Sequence, residues 1–324
     1  MAVVRINDSK VLMQPLPRDV TEVVIFDLFS PFNRVVLPQF PSTVTKLTLR
    51  HVLLGGPVTL SDGLRELTLE AVETETPLDS WSYPGSLQHV IVKRSPHLSD
   101  LRAITAGTIS VSTWGYRKLI QLPEALDELR LTNHLSGGTI GITHSPHLRK
   151  LVLTGAADRA GRSLTLVTRQ LIPLEEYWPN LEVLVIDSPA TVIARPLNIP
   201  RLRELTLKRA NTRGPMAINC PMLESLTVDD YDVMDLSNPD TTLGQTLTNL
   251  ELVHRYAFPA AREWKRLETL TITGPSIELP LIPKLRELNI SSSMIANGYE
   301  VNSLSEYRQA WGLSTRSKSA RSTA

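Results

Sequence analysis

A mostly-β solenoid is the fold class this sequence predicts: about thirteen repeats of stacked parallel strands with little helix, in one curved single-domain array. Three observations carry that expectation. An apolar phrase, Leu-x-x-Leu-x-Leu, returns about every 21 residues, as in Leu64-Arg-Glu-Leu67-Thr-Leu69, Leu148-Arg-Lys-Leu151-Val-Leu153 and Leu202-Arg-Glu-Leu205-Thr-Leu207. A period of that length marks stacked repeats rather than separate cores. Within each phrase the last two apolar positions alternate with another residue, the period of a half-buried strand. Proline stands two or three residues before most phrases, where its fixed φ and missing N–H suit a corner that feeds a strand.

The first apolar positions of the cores are Val20, Val44, Leu64, Leu87, Ala106, Leu126, Leu148, Leu181, Leu202, Leu223, Leu247, Leu267 and Leu285. Their intervals run from 18 to 24 residues, except for 33 between Leu148 and Leu181. Ala106 opens the weakest core, since it keeps the spacing and loses the first leucine. The strands must stack in register, because a slip of one residue would turn every leucine outward. At about 4.8 Å per strand, thirteen cores predict an array on the order of 60 Å long. A buried leucine contributes about 1.5–3 kcal/mol, so a single repeat is unstable alone and the stack is cooperative.

A second short strand is expected after several cores, at Gly56-Pro-Val58-Thr-Leu60, Gly138-Thr-Ile140-Gly-Ile142, Gly214-Pro-Met216-Ala-Ile218 and, more loosely, Gly274-Pro-Ser-Ile277-Glu-Leu279. Glycine and proline make the corner there, and the alternating apolar residues make the strand. Proline lies three residues before the anchor at Pro17, Pro41, Pro84 and Pro123, and two before it at Pro146, Pro179, Pro200, Pro221 and Pro283. That change of offset predicts two subtypes of repeat. The expected organisation is an N-terminal cap over 1–15, a solenoid over 16–291 with an insert near 155–177, a C-terminal cap over 292–311, and a basic Ser/Thr-rich tail over 312–324. The C-terminal cap is expected to be helical, with Tyr299, Leu304, Tyr307 and Trp311 covering the last open edge.

Over residues 16–291 these phrases resemble the leucine-rich-repeat superfamily. The first half is similar to short FNIP-type repeats, whose units read Pro-x-Ser-Leu-x-x-Leu-x-Leu. Pro84-Gly-Ser86-Leu87, Pro41-Ser42-Thr-Val44 and Pro31-Phe32-Asn33 carry that likeness. Later cores are similar to the cysteine-containing repeats of F-box proteins, at Cys220-Pro221-Met-Leu223-Glu224-Ser225-Leu226 and Trp178-Pro179-Asn180-Leu181-Glu182. The stretch of about fifteen residues before the first core is too short for an F-box, so none is expected. The common repeat of this superfamily also carries an asparagine three residues after its last core leucine. Here that position holds Leu28, Val52, Val72, His134, Ala156, Ala210 and Arg255, so the turn must be built differently. The resemblance implies a surface displayed to another macromolecule.

The bulk composition narrows the function further. A net charge of +1 argues against a general nucleic-acid footprint. A single cysteine, Cys220, excludes a disulfide framework and a multi-cysteine zinc site. No signal-peptide layout and no long apolar run is present, so a cytoplasmic protein away from membranes is expected. His144 and His147 stand three apart with no cysteine or carboxylate between them, and no metal or other cofactor is expected. No nucleophile has an identifiable partner base, no glycine loop has phosphate-binding spacing, and neither an enzyme nor a small-molecule substrate is expected.

The residue between the last two apolar positions of each phrase should face the concave side. Five of these are threonine, good strand formers on an exposed face. Ile91, Val152 and Val185 are apolar where solvent is expected. With Val183, Tyr177 and Trp178 they form a candidate partner-binding patch, with Arg130 and Glu251 as charges that set orientation. The leading expectation is a protein–protein interaction module. The alternative is a structural subunit of a large, viral or other, assembly, whose C-terminal tail docks on a neighbour.

Overall fold

The computed structural model describes residues 2–12, 14–28, 34–95, 98, 100–113, 118–133, 139–143, 145–155, 165–166, 178–187, 197–208, 218–229, 243–253, 263–274 and 278–313. The motif Pro31-Phe32-Asn33, His97, His144, Tyr177 and the tail beyond Leu313 lie outside them. The chain divides into two compact units, one of residues 1–192 with 209–211, the other of 193–208 with 212–324.

Each unit is a parallel β stack, and every predicted core supplies a strand. The first unit runs, neighbour to neighbour, through β1 (Ala2–Ile6), β2 (Val20–Leu28), β3 (Lys46–Leu54), β4 (Glu66–Thr74), β5 (His89–Lys93), β6 (Thr108–Thr113), β8 (Glu128–Asn133), β10 (Lys150–Gly155) and β12 (Val183–Asp187). Three short strands, β7 (Lys118–Ile120), β9 (Thr139–Ile142) and β11 (Thr165–Leu166), form a second sheet in the order β11-β9-β7. In the other unit β13 (Glu204–Lys208), β14 (Ser225–Asp229), β15 (Asn249–Val253), β16 (Thr269–Thr273) and β18 (Glu287–Ile290) pair in sequence. The small strands β17 (Glu278–Leu279), β19 (Met294–Ala296) and β20 (Tyr299–Val301) make a three-stranded sheet. The fold is a parallel β-solenoid with little helix.

Register follows the leucines. Leu47 pairs with Leu67, Leu49 with Leu69, Leu205 with Leu226 and Leu250 with Leu270. All of these side chains are buried, while the residues between them are half-buried. Two successive N–H groups of one repeat converge on a single carbonyl of the repeat before. Arg65 and Glu66 donate to Thr45 O at 2.8 and 3.0 Å, and Glu224 and Ser225 donate to Arg203 O at 2.9 Å each. Residues 2–6, within the expected N-terminal cap, add a strand to the stack by pairing with β2.

The two proline offsets resolve into one turn. In most repeats the anchor N–H donates to the carbonyl three residues earlier, as in Val44 to Pro41 (3.0 Å), Leu87 to Pro84 (3.1 Å), Leu181 to Trp178 (3.1 Å) and Leu223 to Cys220 (3.1 Å). Proline at the first turn position gives the early subtype. Proline at the second position, which its φ suits, gives the later one. Moving proline forward frees the first position for a buried side chain, and Ser145, Trp178, Ile199, Cys220 and Ile282 occupy it. The weak core at Ala106 enters two residues early, through Ile104 N–H to Leu101 O (3.0 Å), and Ile104 is buried with Ala106. In the turn before Leu64, a Cβ on Gly63 would lie 1.8 Å from the Ser42 carbonyl oxygen, so only glycine fits.

The missing asparagine position has a different solution. Asp27, His51, Ala71 and Arg94 all adopt left-handed backbone, with φ of 56°, 50°, 51° and 51°. They lie side by side, since Leu28 pairs with Val52 and Val52 with Val72 just beyond them. The kink turns the next residue inward, and Val52 and Val72 are buried there. Where the following repeat has no such valine, the buried Ser95 accepts from Val72 N–H (3.0 Å) and donates to Lys93 O (2.9 Å).

The second short strands form at or near the predicted glycine corners. Thr59 bridges to Ser82, Leu197 bridges to Ile218, β9 pairs with β7, and β17 pairs with β19. Part of the insert, β11, extends this outer sheet against β9. After β18, an Asn297-Gly298 hairpin leads into the helix Leu304–Ala310. Both turn residues have positive φ, 49° and 79°, which Asn-Gly accommodates. The cap, expected to be helical, is a hairpin followed by a short helix, and Tyr299 stands exposed on the hairpin. Tyr307 is fully buried. Its hydroxyl accepts from Ile282 N–H at 2.7 Å and donates to Pro280 O at 2.8 Å.

Candidate interaction surface

In the first unit, β8, β10 and β12 are neighbours in exact parallel register. Their odd positions form a grid of nine displayed residues. β8 contributes Glu128, Arg130 and Thr132; β10 contributes Lys150, Val152 and Thr154; β12 contributes Val183, Val185 and Asp187. The intervening leucines and isoleucine are buried, which fixes the direction of the others. Val152 therefore lies beside Val185, and Val183 stands one displayed position away on the same strand as Val185. With strands about 4.8 Å apart and displayed residues about 6.6 Å apart along each strand, the three valines form one contiguous patch.

The charged edge of the grid is organised by one carboxylate. Glu128 Oε1 lies 2.6 Å from Arg130 Nε and 3.4 Å from Lys150 Nζ. The Glu128 side chain is only 17% exposed, against 51% for Arg130 and 37% for Lys150, so the cations face outward above it. The Thr132 and Thr154 hydroxyls are hydrogen-bonded to each other at 2.8 Å. At the strand entrance Arg149 binds Glu182 (Nη2 to Oε2, 2.9 Å), an exposed pair that solvent screens.

The structure brings together only part of the predicted patch. Val152, Val183, Val185 and Arg130 share the grid. Ile91 is half-buried on β5, with β6 between it and β8. Glu251 lies in the second unit on β15, where it accepts a hydrogen bond from Thr227 Oγ1 at 3.2 Å. Trp178 does not join the displayed face. It is 1% exposed, because it fills the first turn position that the proline shift opened to the core. Tyr177 is outside the described residues. Glu128, Lys150 and Asp187 lie two residues before or after the middle displayed position of their strands, and the pairing of β8, β10 and β12 brings them together. Strand alternation also displays the residues two before and two after it.

Chemistry elsewhere is sparse. The Cys220 thiol is buried, and burial pushes it up to about 11, so it is a poor nucleophile. Among the described residues no group of three His, Cys, Asp or Glu side chains is placed to hold a metal ion, and no helix is long and apolar enough to cross a membrane.

Strands built on Leu-x-x-Leu-x-Leu and stacked in parallel at this period make a leucine-rich-repeat fold. No protein family and no curated protein matches the chain by sequence. Among solved structures the chain is similar to CroV588, described as a novel circular LRR protein, with 14% identity and a TM-score of 0.45 over 85% of this chain and 50% of that one. The chain thus spans about half the length of that protein.

Proposed function

We propose that this chain is a non-enzymatic, cytoplasmic interaction module that binds a partner protein on the displayed face of β8, β10 and β12. The observation that carries this reading is the contiguous Val152–Val185–Val183 patch, half-buried on a sheet face whose equivalent positions elsewhere are mostly threonine or charged. Apolar side chains gain nothing from water at such positions, and a protein partner that covers them recovers the cost of their exposure. In this reading the cations beside the valines set orientation more than affinity. A nucleic acid, a membrane or a small molecule is not the expected ligand.

The test compares affinity capture from the native source by the wild-type chain and by a Val152→Asp/Val185→Asp variant. The variant should melt within a few degrees of wild type, because both sites are on the surface, and should lose the captured partner. Retention of the same partner by a folded variant contradicts the proposal.

A further inference from the structure

The grid also carries information about the chemistry of what covers it. Two cations, Arg130 and Lys150, converge on the single carboxylate of Glu128, and that carboxylate is the most sheltered group of the three. Within this trio one negative charge balances one of the two positive charges, which leaves an excess of one. The edge adjoins the valines directly: Arg130 is paired in register with Val152, and Lys150 with Val183. Asp187 occupies the opposite corner, beyond Val185 and beside Thr154. The face therefore has a cationic side and an apolar centre, and an occupant that satisfies both is held in one orientation.

We infer that the occupant is an extended protein segment carrying an aspartate or glutamate within two residues of apolar side chains. Its carboxylate lies over Arg130 and Lys150, and its apolar neighbours cover Val152, Val183 and Val185. A guanidinium and an ammonium on either side of one site suit a carboxylate, which accepts from both. The valines disfavour a nucleic acid, whose phosphates would have to run across an apolar centre. A second displayed residue about 6.6 Å along an extended chain falls on the valines when the first is over the cations. This inference rests on the interaction reading above and specifies the partner it fits.

The experiment pans a displayed library of random dodecapeptides against the full chain, then measures the enriched peptides by titration calorimetry. Enriched sequences should pair an acidic residue with apolar ones. Arg130→Glu/Lys150→Glu should weaken them about tenfold, and raised salt should weaken them too. The same peptides with the acid replaced by lysine should regain affinity for the charge-reversed variant. An Arg130→Gln/Lys150→Gln variant repeats the test with a smaller perturbation, and thermal melting confirms that both variants fold. If peptides require the valines and are indifferent to both charge variants, the acidic class is wrong and the valine face stands. If Val152→Asp/Val185→Asp also leaves binding unchanged, the interaction reading fails with it. Preference of the cationic edge for a single-stranded oligonucleotide, or failure of any peptide to enrich, equally overturns the inference.

Discussion

Ala71 is the residue at which local geometry and local chemistry disagree most. Its φ of 51° lies in the left-handed region, which costs an L-residue other than glycine roughly 1–2 kcal/mol. Asp27 and His51, its neighbours in the same column, have short polar side chains, and His51 Nδ1 lies 3.0 Å from Asp27 Oδ1. Alanine has no such partner. Replacing alanine by glycine within a strand ordinarily destabilises by roughly 0.5–1 kcal/mol. At this site relief of the backbone conformation opposes that loss, so Ala71→Gly should leave the urea midpoint unchanged or raise it. Ala71→Val should lower stability by about 1–3 kcal/mol, because a β-branched residue tolerates that conformation least. A midpoint that falls with glycine and holds with valine would show that the kink is absent. Nothing in the sequence marked this column. Asp, His, Ala and Arg share no propensity, and only the stacking of one repeat on the next holds four unlike residues in one conformation.

Among the elements, the entry turn was half legible. The regular spacing of proline before each anchor located it, and the physics of a fixed φ explained why proline suits it. That the two offsets serve one turn was not legible, because proline at the first and second turn positions looks different in sequence and closes the same hydrogen bond. The C-terminal cap has a similar history. The apolar and aromatic residues after β18 pointed to a cover, and Ser303 with Glu306 provides a helix start, Glu306 N–H donating to Ser303 Oγ at 3.3 Å. The hairpin was missed, although Asn297-Gly298 is the strongest short-range hairpin signal. Tyr307 ties this cap to the solenoid through two hydrogen bonds, and only its hydroxyl serves the Ile282 N–H. Tyr307→Phe keeps the ring in the core and removes both bonds. It should cost about 1–3 kcal/mol, the penalty of a buried donor left unpaired, measured as a loss in unfolding free energy by denaturant titration. A change below half a kcal/mol would place the hydroxyl in solvent.

For the molecule as a whole, the leucines made the fold legible and the residues between them made only part of the surface legible. Periodicity fixes which side chains go inward, and with them the direction of every other side chain on each strand. It does not say which repeats are neighbours across an insert. Val152 and Val185 are 33 residues apart, and their contact follows only because β10 pairs with β12 despite the long interval between them. Trp178 was misassigned for the converse reason, since an aromatic beside an insert reads as surface until the turn geometry carries it inward. Alternation around these leucines places Val185 on the displayed face, half-buried, while Cys220 is sealed in the core. A Val185→Cys variant puts both environments in one chain, so thiol labelling in native buffer at pH 8 tests it directly. The thiol at 185, half-buried, should react in the native state. The other, held protonated by burial with its thiol pushed up to about 11, should react only after denaturation. Two slow thiols would bury the face on which the functional reading depends, and two fast thiols would mean that the stacked core does not exist.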